Sequence, residues 1–513
     1  MRVEVAPRRV ESLSGGTLAL PATADGASGS AARLDGRIAV LFTEGELRGE
    51  PGEIVVLHGD GEVGARRVVA AGVGRADDPD HLRTAAAAAA KSLDRVGGTL
   101  AWALDPDLPI GLPEQARAVV EGVVLGSYDP GIRKTGERRR APDTLVLLTD
   151  DATDEVQETA RRAAVVADWA NRARDLANAP ANELTPAALA DRAVEFAAGL
   201  DHLEATVLGP DEIEELGMGA FAGVAAGSHN PARLIVLRYD SPGSAEDTVL
   251  GLVGKAVTFD AGGISIKKAL YMEDMKGDMA GGGSVITGLA AIAELGLPVR
   301  AIGVVAATEN MVGGGSFRPG DILRAANGKT IEIVNTDAEG RLILADALWY
   351  ARREGATHLV DFATLTGIME KAMGDLYAGV FGTPEGWRDE VVAAGEASGD
   401  HAWPWPLHPR YRRYVDSDFA DLKNSSVRGQ ASPAYAAEFL REFAGDGPWA
   451  HVDMAGTGFF TWPRTDYLWQ RGGTGYGVRL IVELAQNLAS RGSGLAGDAH
   501  AEPFVSVTES ESG

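Results

Sequence analysis

The sequence predicts an α/β protein of two domains, a smaller N-terminal α/β domain and a larger C-terminal α/β catalytic domain with a central mixed sheet. Three observations carry that expectation. The chain has 513 residues, more than one ordinary core accommodates. Apolar runs of strand length alternate with helically spaced apolar stretches through both halves. Finally, a long helical run ending at Asn178 meets Ala179-Pro180-Ala181-Asn182-Glu183-Leu184-Thr185-Pro186, whose prolines break it and mark a boundary.

In chain order, residues 1–36 mix Gly, Ser and Ala with little periodicity and read as a weakly ordered start. The N-terminal domain, 37–150, has expected strands at Ile38–Phe42, Ile54–Leu57, Arg67–Ala71, Thr99–Leu104 and Thr144–Thr149, with helices at Arg83–Arg95 and Pro113–Leu125. It gathers no catalytic residue types, so a scaffold or assembly role is expected. Residues 151–178 read as a linking helix. The catalytic part, 179–488, has near-continuous apolar strands at Leu234–Tyr239, Thr248–Gly254, Arg300–Ala306, Thr330–Val334 and His358–Ala363, with helices at Gly281–Leu295 and Leu342–Arg353. From 489 to 513 the composition turns to Ser, Gly and acidic residues, a tail expected to be disordered.

Composition removes several classes of function. A formal net charge of −25 disfavours a nucleic-acid surface, and the one dense basic run, Arg138-Arg139-Arg140, reads as a solvated loop. There is no cysteine, hence no disulfide, thiolate metal site or cysteine nucleophile. The start Met1-Arg2-Val3-Glu4-Val5 lacks an apolar signal region, and no apolar run is long enough for a membrane span, so a soluble, cytoplasmic protein is expected.

Three stretches carry the chemistry. Asn335-Thr336-Asp337-Ala338-Glu339-Gly340-Arg341-Leu342 places two carboxylates and a guanidinium between a short strand and a helix. Two acidic oxygen donors facing one point fit a hard or borderline metal ion, and Arg341 fits an anion held nearby; a polar turn capping a helix through Asp337 is the alternative. Gly254-Lys255-Ala256-Val257-Thr258-Phe259-Asp260-Ala261-Gly262-Gly263-Ile264-Ser265-Ile266-Lys267 brings two lysines and an aspartate into a glycine-rich turn. It is no phosphate-binding loop, and the Gly-Lys-Thr at Gly328 has Leu323 where that motif needs glycine. Asp278 follows in Met275-Lys276-Gly277-Asp278-Met279, where a helix cap is again the bland alternative.

Together these stretches resemble the leucine aminopeptidase family of two-metal cytosolic exopeptidases. The octet from Asn335 to Leu342 is that family's signature, and the companions match it in type and spacing. Further similarity lies in Ser316–Asp321, Asp361–Gly367, Asp421–Asn424, Gly473–Arg479 and, in the N-terminal part, Glu121–Tyr128. Lys268 and Val312 depart from prolines frequent in the family.

The resemblance implies metal ligands Lys255, Asp260, Asp278, Asp337 and Glu339, with Asp260 and Glu339 bridging two divalent ions and Lys267 and Arg341 as catalytic non-ligands. Zinc or manganese are the ions first expected, cobalt or magnesium the alternatives, since a carboxylate-rich shell selects weakly. Lys255 can ligate only as the neutral amine. No His-Glu-x-x-His occurs, which fits a site without imidazole. The implied reaction is hydrolysis of the first peptide bond by a hydroxide bridging both ions, with Lys267 on the oxyanion and a bicarbonate on Arg341 as general base. Asp278 would meet the substrate's α-amino group, and Met275, Asn335, Thr364 and Leu365, with Lys267, would complete the substrate contacts, favouring leucine or another apolar first residue. A homohexamer acting on peptides with a free N-terminus is implied. The rival is a non-catalytic DNA-binding, architectural member of the family. The aromatic stretch Phe459–Trp469 fits either a cleft wall or a core patch.

Overall fold

The computed structural model describes residues 1–7, 15–26, 35–59, 64–245, 247–427 and 429–492. The first six strands are β1 (Arg2–Ala6), β2 (Thr17–Thr23), β3 (Ile54–His58), β4 (Arg67–Gly74), β5 (Thr99–Ala103) and β6 (Thr144–Leu148). They form one sheet in the order β1-β6-β5-β2-β4-β3, parallel throughout except for β3. Two expectations fail here. The start is not weakly ordered where it is described, because β1 and β2 belong to the sheet, and β2 is buried along its whole length. Ile38–Phe42 is not a strand but lies within a helix, Arg37–Glu44. Ile38 and Leu41, three apart, bury one helical face, and Gly45 ends it in the left-handed conformation at φ 73°.

The helices Pro79–Lys91 and Leu112–Gly126 cover the N-terminal sheet on one side. A 25-residue helix, Asp154–Asn178, then carries the chain across to the second sheet, capped by Thr153, whose hydroxyl accepts from the Val156 N–H. Midway along it Trp169 donates its indole N–H to Glu294 at 2.7 Å.

The second sheet uses β7 (Leu203–Leu208), β8 (Arg233–Asp240), β9 (Val249–Asp260), β10 (Arg300–Asn310), then, beyond the short β11 (Ile322–Arg324) and β12 (Thr330–Glu332), β13 (His358–Ala363), β14 (Ala378–Thr383), β15 (Ala402–Pro404) and, after β16 (Leu422–Lys423), β17 (Trp449–Asp453). Its order is β15-β14-β17-β13-β9-β10-β8-β7, and β17, β13, β9 and β10 run parallel at its centre with antiparallel neighbours outside. It is the mixed sheet expected. Cores lie on both faces, one under the buried helix Ala280–Leu295 and the other under the helix Gly340–Arg353.

Three boundaries differ from expectation. β9 runs on to Asp260, so Lys255 to Asp260 is strand and not glycine-rich turn. Gly254 serves a close helix approach: a Cβ there would lie 2.6 Å from the Gly282 Cα. Thr330–Val334 shortens to β12 in a separate sheet, β11-β12-β16, because the N–H groups of Val334 and Asn335 turn to the Asn424 side-chain oxygen. The last helix begins at Val478 and continues through 489–492 of the expected tail; the remainder of that tail lies outside the described residues.

The two sheets are joined by buried charge. Arg83 donates to Glu121 at 2.6 Å and to Asp80 at 2.8 Å, and Arg117 bridges Glu121 to Glu483 of the last helix. Arg479 donates to Asp400 at 2.7 Å and lies 3.9 Å from Glu121. His401 meets Asp80 at 2.8 Å. Hydrogen bonds to Asp80 and Glu396 hold the His401 ring protonated, its pKa pushed up to about 9. A raised histidine contributes stability that is complete below its unfolded value near 6.5 and is lost as pH climbs through about 9. The thermal midpoint should therefore fall between pH 7 and 10, and His401→Gln should flatten that fall. Glu121→Gln, which strands Arg83 without its closest partner, should cost about 3–5 kcal/mol by denaturant titration; an unchanged midpoint would show the network to be energetically idle.

Candidate metal centre

The parallel strands end side by side at Asp260, Asn310, Ala363 and Asp453, where α/β sheets place their ligands. Asp260 closes β9, and Lys255 lies five residues earlier on the same rigid strand. Asp278 comes from a short 3-10 helix, Met272–Met279, and Asp337 and Glu339 from the turn before the helix Gly340–Arg353. Neither bland alternative holds: no side chain caps the helix at Ala280 or the one at Gly340, and Asp337 lies outside the cap position.

One oxygen from each of Asp260, Asp337 and Glu339 lies within 4.8 Å of the others. The Lys255 ammonium is 2.9 Å from Asp278 and 2.9 Å from Glu339, and it donates to the Thr364 carbonyl at 3.1 Å. Lys267 reaches Asp260 at 2.8 Å and Asp337 at 2.6 Å. Four carboxylates thus share two ammonium groups. Burial pushes Asp278 up to about 8, with the charges of Asp260 and Glu339 adding to the shift. Asp337 is pushed up to about 7 by burial and the same two neighbours, and Asp260 is raised as well. Glu339 alone is held down, because both lysines outweigh its burial. Burial pulls Lys255 and Lys267 down, but the surrounding carboxylates win and raise both.

That donor set fits divalent cations. Beyond the lysines, Oδ2 of Asp278 and Oδ1 of Asp337 have no hydrogen-bond partner although both atoms are buried. Dications among the same oxygens would replace ammonium charge with a larger one and reverse the field on Lys255, letting its amine act as a neutral ligand. The cradle is shaped for close approach. A Cβ on Gly340 would fall 2.8 Å from the Lys255 nitrogen, and one on Gly262, at φ 84°, would fall 2.8 Å from an Asp337 oxygen.

Arg341 is buried beside this cluster but pairs with no carboxylate among the described residues. It donates to the Asn424 carbonyl at 2.7 Å, faces the Tyr435 ring at 5.4 Å, and has a buried Nε without a partner. Burial lowers its pKa. A guanidinium with no carboxylate partner and a free Nε is suited to an anion.

Of the expected substrate contacts, Thr364 donates its hydroxyl to Asp278 at 2.7 Å, and Asn335 accepts from the Asp337 N–H at 2.9 Å. Leu365 is half-buried against the second core, and Met275 is half-buried on the helix that presents Asp278. Lys255, Asp260, Lys267, Asp278, Asp337 and Glu339 converge in direct contact, and Arg341 lies beside them within the field of Glu339.

Sequence reasoning missed the residues that hold the cluster in place. The Asn310 amide donates to Asp260 at 2.8 Å, to the Thr336 carbonyl at 3.0 Å and to Glu339 at 3.3 Å, spanning β10, β9 and the octet. Thr336 laces the octet to the Gly262 loop through its hydroxyl, 2.6 Å from the Gly262 carbonyl and 2.8 Å from the Ser265 N–H. Asp453 accepts from the N–H groups of Leu365 and Thr366 and from the Thr366 hydroxyl. The only sequence signal for Asn310 is its place at the polar end of an apolar strand. The aromatic stretch also finds a role: a Cβ on Gly277 would strike the Phe459 ring at 2.3 Å, and Trp462 meets Tyr271 edge-on, so this segment braces the helix bearing Asp278.

The chain is similar to known proteins over most of its length. Residues 171–482 match the cytosol aminopeptidase family catalytic domain and residues 20–135 its N-terminal domain. A probable cytosol aminopeptidase of Solibacter usitatus is 45% identical over 87% of this chain and 92% of its own length. One from Roseiflexus castenholzii is 43% identical over 86% and 91%. Among solved structures, the bottromycin maturation enzyme BotP in complex with Mn superposes with a TM-score of 0.83 at 33% identity, covering 93% of this chain and 100% of that one. A tomato leucine aminopeptidase mutant gives 0.86 at 32%, covering 95% and 96%.

Asn310→Ala should leave the fold intact and weaken divalent-metal retention by about 10–100-fold, the cost typical of removing a group that orients ligands. Metal content after dialysis against graded chelator buffers, beside the far-UV circular dichroism spectrum, checks this; full retention would deny Asn310 that role.

Proposed function

The chain belongs to the cytosol aminopeptidase family and is a metal-dependent aminopeptidase, and we propose that it cleaves leucine or another apolar residue from peptide N-termini at the cluster of Lys255, Asp260, Asp278, Asp337 and Glu339. What supports this assignment above all is the convergence of the Asp260, Asp337 and Glu339 oxygens on one point, with Asp278 joined to Glu339 through the Lys255 ammonium.

Lys255, Asp260, Asp278, Asp337 and Glu339 would hold two divalent ions, zinc or manganese in the first instance. Those ions would supply Lewis acidity, making water a stronger acid and polarising the scissile carbonyl. Lys267, whose side chain keeps 24% exposure on the open side of the cluster, would donate to the oxygen that gains charge in the tetrahedral state. Asp278, its orientation set by the Thr364 hydroxyl, and one of the ions would receive the substrate's free α-amino group. Such a subsite makes the enzyme an exopeptidase, since an internal peptide bond offers no free amine to it. Arg341 would hold bicarbonate through its free Nε, which places a base beside the site without another side-chain carboxylate. Met275 and the Thr364–Leu365 segment would contact the first side chain, with Asn335 alongside.

The N-terminal domain would serve assembly, and a homohexamer in the cytoplasm is the form in which we place the enzyme. Among the described residues no helix is long and apolar enough to cross a membrane. Neither the fold nor the relatives favour the DNA-binding alternative.

Hydrolysis of leucine p-nitroanilide should be abolished by a chelator and restored by zinc or manganese. Glu339→Ala should lower turnover by about 1,000-fold, equivalent to about 4 kcal/mol. Arg341→Ala should lower it by about 100-fold while both metals stay bound, as expected for loss of base catalysis alone. Activity that survives complete metal removal would refute the site, and loss of both metals from the arginine variant would refute the separation of roles.

A further inference from the structure

On the opposite face of the strand ends that bear Asp260 and Asn310 lies a second cavity, of about 420 Å³. Successive residues of a strand point to opposite faces, so Phe259 and Glu309, which pair across β9 and β10, face away from the metal cluster. Both line the cavity, with Ala181 and Asn182 of the inter-domain linker, Ser228 and Met311. Glu309 is only 7% exposed. Its carboxylate accepts from the Ser228 hydroxyl at 2.5 Å and from the Asn230 amide at 3.0 Å, and no lysine, arginine or histidine pairs with it among the described residues. A carboxylate buried among neutral donors is stabilised as an acceptor but keeps its charge uncompensated, and buried charges are as a rule paired.

We propose that this cavity is a binding site for an organic cation, a guanidinium or alkylammonium group carried on a short apolar stem. Glu309 supplies the counter-charge, the Phe259 ring a face for the cation, and Met311 apolar surface for the stem. An inorganic ion fits less well, because the cavity wall is mostly apolar and Glu309 is its only carboxylate. Two sources share this chemistry: a small free cation, or the side chain of a basic residue in a bound peptide. The site is separate from the catalytic cluster and does not depend on the roles assigned there.

The test is calorimetric titration of the full-length, metal-loaded protein with n-butylguanidinium and with its neutral isostere n-butylurea. One guanidinium per chain should bind, at least tenfold tighter than the urea, and Glu309→Gln should reduce its affinity to that of the urea. Arg341→Ala should leave it unchanged. Equal affinity for cation and urea, a measurement that needs no variant, would overturn the proposal. So would undiminished binding to a folded Glu309→Gln protein, or no binding at all. The source is read from peptides beginning with leucine and carrying arginine or citrulline at positions three to five. A KM at least threefold lower for arginine, lost in Glu309→Gln, assigns the site to the substrate. Equal KM values beside intact n-butylguanidinium binding assign it to a free cation.

Discussion

Four carboxylates crowded into one buried cluster are the constraint around which the catalytic half of this protein is arranged. Asp260, Asp278 and Glu339 are buried and Asp337 is partly so, and their mutual repulsion must be countered inside the chain. Lys255 and Lys267 do this, each gripping two of the four. The backbone is arranged to tolerate the crowding. A strand extended to Asp260 sets Lys255 and its aspartate on a rigid element, and glycine at 262 and 340 leaves room where any side chain would collide with the cluster. Two ammonium groups against four carboxylates leave an excess of negative charge in the cluster, which suits it to divalent cations.

The supports behind the cluster form a second layer, and each ties elements distant in sequence. Asn310 connects two strands to the octet turn, and Asn424 receives the N–H groups of Val334 and Asn335 where the chain enters the octet, while its carbonyl orients Arg341. Asp453, fully buried, fixes Leu365 and Thr366 and through them the Thr364 carbonyl that meets Lys255. Phe459 and Trp462 press on the helix of Asp278, and Arg471 joins that helix at Asp274. A ligand set built this way is positioned by elements, not by loop flexibility.

Part of this was legible in the sequence. The apolar runs of β8, β9, β10 and β13 marked them as strands, whereas β17, also central, was not expected. The carboxylates and lysines of the site were identified by number through the family resemblance, since each alone could have been a helix cap or a solvated charge. The beginning of the chain was not, for physical reasons. β2 contains Pro21, which argues against a central strand, and its small residues lack the bulk that signals one. Arg37–Glu44 has too few residues for apolar spacing to separate helix from strand. The helix at Pro79 could have been placed earlier from Asp78 as cap and proline at its first position. The supporting polar residues were illegible for another reason. Asn310, Thr336 and Asp453 act through partners up to some ninety positions away, and no local pattern records such a pairing.

The charge network between the sheets bears on how separable the two halves are. Their sequences look modular, with a proline-marked boundary, although Ala87 and Leu125 of the first half pack into the core of the second. Yet Glu121 and Arg83 are contributed from one side, and Arg479, Asp400 and Glu483 from the other. Cutting at the boundary would leave each fragment holding formerly buried ions whose partners had departed with the other piece. The catalytic half is thus an autonomous fold in topology but not in electrostatics, and duplication or recombination of such a half would first have to rewrite its contact face.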